Sequence, residues 1–186
     1  HIIGYQQTGR ARLTIVEPDD AKRASVVSEF GPDAAYADLA EVETASQDLA
    51  VICAPANHHV PLMKACVEAG LPFLVEKPLA VTGDGVDEVI AEVERTGLLA
   101  RVGYIRRIAP EIINLRKQID AGKIGTLKLA YLNSSQEFPK YRPDFQRTYY
   151  ARPEMGGGAI LDAASHSFDM LISIMGTPVT VGAMYD

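Results

Sequence analysis

Three continuous apolar runs constrain this chain more than any other feature: "LAVICAP" at 49–55, "LPFLVEKP" at 71–78 and "LLARVGY" at 98–104. Each is rich in β-branched and aliphatic residues and too short for a helix, the pattern of strands covered on both faces. Two stretches with helical spacing separate them. "HHVPLMKACVEAG" closes at Gly70, and "GDGVDEVIAEVERTG" carries Val86, Val89, Ile90 and Val93 at helical spacing with Gly97 past its end. Strands alternating with helices of this length predict a parallel sheet with helices on both faces.

The pattern strains at the N-terminal end. "HIIGY" and "RLTIVE" read as two further strands, and "DDAKRASVVSEF" as a helix capped by Asp19 or Asp20. Only Arg10 to Arg12 separate Gly9 from Leu13, whereas parallel neighbours need a crossover of about a dozen residues. Either the two strands are not parallel neighbours, or a crossover helix is missing after Gly9. The second is the expectation, because the first leaves a glycine turn with no helix to start. The chain also begins at His1 rather than Met, from which an incomplete N-terminus is expected. The turn Gly4-x-Gln6-x-x-Gly9 has the outline of a dinucleotide fingerprint, with Gln6 at the place of the middle glycine. It equally fits an ordinary turn. Glu17 stands where an acid is expected at the end of the second strand.

After Tyr104 the pattern changes. "APEIINLRKQIDAGKIG" reads as an amphipathic helix with Pro110 in its first turn and Gly122 past its end. "TLKLAYLNS" alternates like a half-exposed strand. "SQEFPKYRPDFQRTYYARPEM" is a loop too long to be a passive connector. "GGGAILDAASHSFDMLISIMG" reads as a glycine-led helix with Phe168, Leu171, Ile172 and Met175 as its core stripe, and "TPVTVGAMYD" as the start of another strand.

Two motifs carry chemistry. In "FLVEKP" a strand delivers Glu76 and Lys77 to the carboxyl edge of the sheet, where ligands of parallel sheets bind, and Pro78 holds Lys77 extended. A solvated Glu–Lys pair at a strand end fits the same residues. In "GGGAILDAASHSFD" Asp162, His166 and Asp169 are spaced four and three apart and share one helix face. An Asp–His pair suits proton transfer, because His titrates near neutrality and a carboxylate fixes its tautomer. A helix-dipole Asp beside a surface His fits as well, and no ligand set completes a metal site. In "CAPANHHV" the strand ends at Ala54-Pro55 and His59 falls in the first turn of the next helix, where a surface His is the plain alternative.

Together these motifs resemble the Gfo/Idh/MocA family of NAD(P)-dependent oxidoreductases. The resemblance runs through Ala54-Pro55-Ala56, His59, Ala69-Gly70, Glu76-Lys77-Pro78, "VGYIRRIAP" and the helix from Gly156 to Asp169. Gln6, Ala54 and Ala56 depart from the family pattern, which has Gly, Thr and Asn there. The resemblance implies a Rossmann-type doubly wound sheet over residues 1–104. It implies the start of an α+β domain with an open, mainly antiparallel sheet over 105–186, truncated at its C-terminus.

It also implies hydride transfer between a nicotinamide and a hydroxyl-bearing carbon of a sugar, polyol or sugar nucleotide. On this reading Lys77, Asp162 and His166 are catalytic, with His166 taking the hydroxyl proton and Asp162 orienting it. Gly4, Tyr5, Gly9, Glu17, Ala54, Pro55, His59, Glu76 and Lys77 bind the cofactor, and Lys77, Arg107, Tyr149 and His166 the substrate. Glu17 favours NAD over NADP, because a carboxylate repels a 2′-phosphate. A homo-oligomer, dimer or tetramer, is expected of the full-length protein. Two other outcomes stay open: a non-catalytic dinucleotide-binding regulator, and a relative that recycles tightly bound NAD.

Charge and composition set the remaining bounds. The net charge of −6 gives no electrostatic case for nucleic acid or an anionic membrane. Cys53 and Cys66 sit in apolar stretches and read as buried, reduced thiols of a cytoplasmic protein.

Overall fold

The computed structural model describes residues 1–184, in two compact units, 1–47 and the described residues from 48 onward.

The first unit runs α1 (Ile2–Thr8), β1 (Thr14–Val16), α2 (Asp20–Phe30) and β2 (Ala34–Tyr36). β1 and β2 are parallel, with Thr14 opposite Ala34 and Val16 opposite Tyr36. Asp19 caps α2, its side chain accepting from the Lys22 N–H at 3.0 Å. Glu17 directly follows β1, and its carboxylate accepts from the Asp19 N–H at 3.0 Å.

Here the structure corrects the sequence reading. "HIIGY" is not a strand but most of helix α1, closed by Gly9 in the left-handed conformation (φ 62°). A short apolar run does not by its spacing distinguish helix from strand. Its backbone bonds are satisfied internally, beginning with Tyr5 N–H to the His1 carbonyl, and Gln6 ties it to α2 through the Phe30 carbonyl at 2.6 Å. The helix leading into β1 is thus α1 itself, and no further crossover is needed after Gly9. Gly4 and Tyr5 lie inside a helix and Gly9 ends it, so the three do not form the strand-to-helix glycine turn that assigned them to a cofactor.

The second unit contains β3 (Ala50–Ile52), β4 (Phe73–Val75) and β5 (Ala100–Val102), parallel and adjacent in that order. Ile52 lies opposite Val75 and Val75 opposite Val102, so the three strands end level. α3 (His59–Glu68) and α4 (Val86–Thr96) connect them. Helical spacing puts Met63 and Cys66 of α3 on one face, and with Val89 of α4 they bury against Ile52, Phe73 and Val75. Each such side chain contributes on the order of 2 kcal/mol on burial. Cys66 lies in this core, where burial pushes its thiol up to about 11. Cys53, expected to be buried, is exposed just past β3.

Beyond β5 a 3-10 turn (Ile105–Ile108) leads into α5 (Pro110–Asp120). The short helix α6 (Phe138–Tyr141) and a series of 3-10 turns follow, then a π-helical turn (Ala159–Ala164) that passes into α7 (Ser165–Met175). The strand expected over "TLKLAYLNS" is absent. Among the described residues no strand after β5 offers it a ladder, and Leu129 and Tyr131 stand 84% exposed. Residues 177–184 are likewise without a strand, and Tyr185 and Asp186 of that stretch lie outside the described residues. The expected stripe of α7 is also corrected. Phe168, Ile172 and Met175 are exposed, while Ser167 and Asp169 are buried. No helix among the described residues is long and apolar enough to cross a membrane.

Candidate active site

The level carboxyl ends of β3 and β4 define the site. Cys53 to Ala56 leave β3 beside Glu76, Lys77 and Pro78 leaving β4. With Tyr149 and Met155 they enclose a cavity of about 250 Å³. Glu76 folds back so that its carboxylate accepts from the Lys77 N–H at 3.2 Å. Gly103 makes room for it: a Cβ there would sit 3.0 Å from the Glu76 Oε2.

Lys77 crosses the cavity to the second half of the unit. Its Nζ donates to the Asp162 Oδ1 at 2.7 Å and to the Asp162 carbonyl at 2.9 Å. The two side chains are only 19% and 15% exposed, so this pair is weakly screened. The Tyr149 hydroxyl donates to the same Oδ1 at 3.1 Å. Behind it the Tyr150 ring stacks at 4.2 Å, and Arg142 Nε donates to the Tyr150 hydroxyl at 3.3 Å. Burial, a hydrogen bond with Tyr150 and the Asp162 charge push the Tyr149 phenol above its ordinary value.

The three glycines before Asp162 allow this approach. Gly156 (φ 86°) lies against the cavity wall, where a Cβ would come within 2.7 Å of the Ala56 Cβ and 3.4 Å of the Pro78 Cγ. A Cβ on Gly157 would meet the Tyr149 carbonyl at 2.1 Å. The Gly158 N–H bonds the Tyr150 carbonyl at 2.9 Å, tying the tyrosine loop to the turn that carries Asp162.

His166 lies in the first turn of α7, near enough to Lys77 and Asp162 to feel their charges but not among the residues that line the cavity. Its ring meets Tyr104 edge-on at 5.8 Å, and its Nδ1 is buried without a hydrogen-bond partner among the described residues. Burial first, then the charges of Lys77 and Arg106, hold its pKa below the ordinary value, against Asp162 and Glu76.

The expected orientation of His166 by Asp162 is corrected: the Asp162 carboxylate is engaged by Lys77 and Tyr149 instead. Asp169 does not join them. It is buried and grips Arg107, whose Nε donates to its two oxygens at 2.9 and 2.8 Å. Arg107, expected at the substrate, therefore braces the 3-10 turn after β5 against α7. His59 lines the cavity, but the ring is buried and both its nitrogens face main-chain carbonyls. Tyr104 escaped the sequence reading. Its place, two residues past β5, was the available signal, because residues at a parallel sheet's carboxyl edge face the ligand crevice.

A parallel sheet joined by helices, with Lys77, Asp162 and Tyr149 meeting beyond its carboxyl edge, makes this an α/β protein with its site where ligands of such sheets bind. The chain belongs to the Gfo/Idh/MocA oxidoreductase family. Residues 2–104 match the model of the oxidoreductase family's NAD-binding Rossmann fold, and 112–186 match the GFO/IDH/MocA C-terminal domain.

Among its relatives, inositol 2-dehydrogenase 1 of Saccharopolyspora erythraea is 30% identical over 166 residues, 88% of this chain and 46% of that protein. The scyllo-inositol 2-dehydrogenase (NAD(+)) of Bacillus subtilis is 27% identical, over 92% of this chain and 48% of its own length. A solved levoglucosan dehydrogenase, in complex with NADH and levoglucosan, superposes with a TM-score of 0.78 at 26% identity, covering 89% of this chain and 45% of that one. The chain spans about half the length of the curated relatives it matches.

Proposed function

We propose that the full-length protein is an NAD-dependent dehydrogenase that oxidises a secondary alcohol of a polyol or sugar, inositol-like substrates first among them. The observation that carries this reading is the meeting of Lys77, Asp162 and Tyr149 at a cavity on the carboxyl edge of the parallel sheet. The names of the relatives support the substrate class.

The residues present fit a nicotinamide. Ala54, Pro55 and Ala56 give a small-residue wall that faces Glu76, Lys77 and Pro78 across the cavity. Ala54, Pro55, Glu76 and Lys77 would hold the ring. When bound, it supplies the acceptor for the hydride leaving the carbinol carbon. Lys77 Nζ hydrogen-bonds the substrate hydroxyl oxygen and stabilises the negative charge that develops there. Asp162 and Tyr149 aim the Lys77 amine. His166, disposed by burial to stay neutral, takes the hydroxyl proton, and the alcohol becomes a carbonyl. Glu17 beside β1 supports NAD over NADP. The unpaired thiols Cys53 and Cys66 support a reducing, cytoplasmic setting.

The test is a screen of inositols and aldoses for NAD reduction by the full-length protein, with cofactor affinity measured in parallel. Turnover on a polyol with tighter binding of NAD than NADP is expected. Binding of NAD without turnover on any of them marks a regulator and overturns the enzymatic reading.

A further inference from the structure

We infer that His59 is the positioning residue that aims Lys77, acting through the main chain rather than touching a ligand with its ring nitrogens. The inference rests on the catalytic reading of Lys77 given above. His59 is the first residue of α3 and is 1% exposed. Its Nε2 lies 2.8 Å from the carbonyl of Ala54, where the chain leaves β3. Its Nδ1 lies 2.9 Å from the carbonyl of Pro78 and 3.3 Å from that of Leu79, where the chain has just left β4. One imidazole therefore bridges the two loops that form the cavity wall, on either side of the catalytic lysine.

A carbonyl oxygen only accepts, so each of these contacts is a hydrogen bond only where the facing nitrogen carries its proton. The contact at Nδ1 is the one that bears on Lys77, because the Pro78 carbonyl is the next main-chain acceptor after the lysine. Two β-strands fix the start of each loop through their ladder, but the ladder stops at Ile52 and Val75. Beyond those residues the ring nitrogens of His59 reach both loops. Gly156 packs on the same two segments, against Ala56 and Pro78, so the turn carrying Asp162 rests on the framework that His59 holds. The lysine's stem and its carboxylate partner are thereby referred to one buried ring. A misplacement of about 1 Å at a reacting group costs on the order of a hundredfold in rate, so holding this framework matters to turnover.

The test uses full-length protein and separates the two ring nitrogens. In His59→Asn the side-chain amide stands close to where Nδ1 was and keeps the Pro78 bond. In His59→Gln it stands close to where Nε2 was and reaches only the Ala54 carbonyl, which leaves the Pro78 carbonyl without a donor. The expectation is that kcat falls about tenfold in His59→Asn and about a hundredfold in His59→Gln, with KM moving less than threefold in either. Equal losses in the two variants, or losses that simply follow the melting temperature, overturn the inference.

Two readouts do not depend on turnover. With ¹³C-methylated lysines, the Lys77 resonance should remain distinct from those of exposed lysines in wild type and His59→Asn, and merge with them in His59→Gln. A distinct Lys77 signal in His59→Gln overturns the inference. In unaltered protein with ¹⁵N-labelled histidine, Nδ1 of His59 should show the shift of a protonated nitrogen; an unprotonated Nδ1 overturns it. If no polyol is turned over, the functional reading fails, and these two spectra still decide the role of His59.

Discussion

The Lys77 ammonium and the Asp162 carboxylate lie 2.7 Å apart although 85 residues separate them in the chain. That contact joins the sheet edge to the glycine-led turn, and the Asp162 carbonyl takes a second bond from the same amine. A charge-assisted bond between two largely enclosed groups fixes direction as well as energy.

Breaking it from either side should therefore cost turnover before it costs fold. In the full-length protein Lys77→Met should lower kcat by about a hundredfold or more, the scale of general acid–base and oxyanion effects. Asp162→Asn, which keeps the shape and loses the charge, should cost about tenfold to a hundredfold, with Tyr149→Phe smaller still. Steady-state kinetics on the best polyol of the screen measures all three. Near-normal kcat in Lys77→Met would remove the lysine from the mechanism.

His166 gives a dependence on pH with a definite sign. Burial and the neighbouring cations hold its pKa below 6.5, so the ring is neutral in the folded protein where an unfolded one has begun to take up a proton. In the window below 6.5 the unfolded chain binds more protons than the folded one, so stability rises with pH there. The contribution is complete above 6.5 and is lost as pH falls through the lowered value. An NMR titration of the His166 ring should give a midpoint below 6.5, and kcat/KM should hold level down to that midpoint before falling. A midpoint above 6.5 would contradict the cause assigned to the shift.

Gly157 should tolerate no side chain. A methyl group there meets the carbonyls of Tyr149, Tyr150 and Arg152 at 2.1, 2.7 and 2.9 Å, all of them backbone. Gly157→Ala must move the tyrosine loop and should cost about 1–3 kcal/mol, the usual scale of overpacking. Gly122→Ala is the control for backbone strain without crowding, since Gly122 also has positive φ (70°) but nothing near its Cβ position. Thermal melts of the two variants should differ, with Gly157→Ala the lower.

Arg107 should behave as a brace. Removing it leaves the Asp169 carboxylate, 9% exposed, without its forked partner. Arg107→Ala should destabilise by about 1–4 kcal/mol, between the values for exposed and buried pairs. KM for the substrate should change less than kcat. A large rise in KM with an unchanged melting temperature would return Arg107 to the substrate.

Much of this was legible in the chain. The strands at 50–52, 73–75 and 100–102 announced themselves because full burial demands unbroken apolar runs. Lys77 and Asp162 were legible as candidates because Pro78 and the three glycines mark where the chain leaves regular structure. Their pairing was not, since a contact across 85 residues leaves no trace in local spacing. Asp162 and His166 looked like partners at four-residue separation, but the π-helical turn between Ala159 and Ala164 alters the phase of that spacing. "HIIGY" misled for a different reason. Five residues carry too little periodicity, and the deciding features, Gly9 as a left-handed cap and Gln6 reaching Phe30, act only in three dimensions.

The close seating of Gly156 on Ala56 makes these two positions sterically interdependent. A bulkier residue at 56 would grow into a gap only as deep as a hydrogen atom leaves it, and any Cβ at 156 would do so from the other side. Redesign of the pocket wall at 56, for a larger ring or a different substrate, therefore has to begin with the turn that carries Asp162. The two must be varied as one unit.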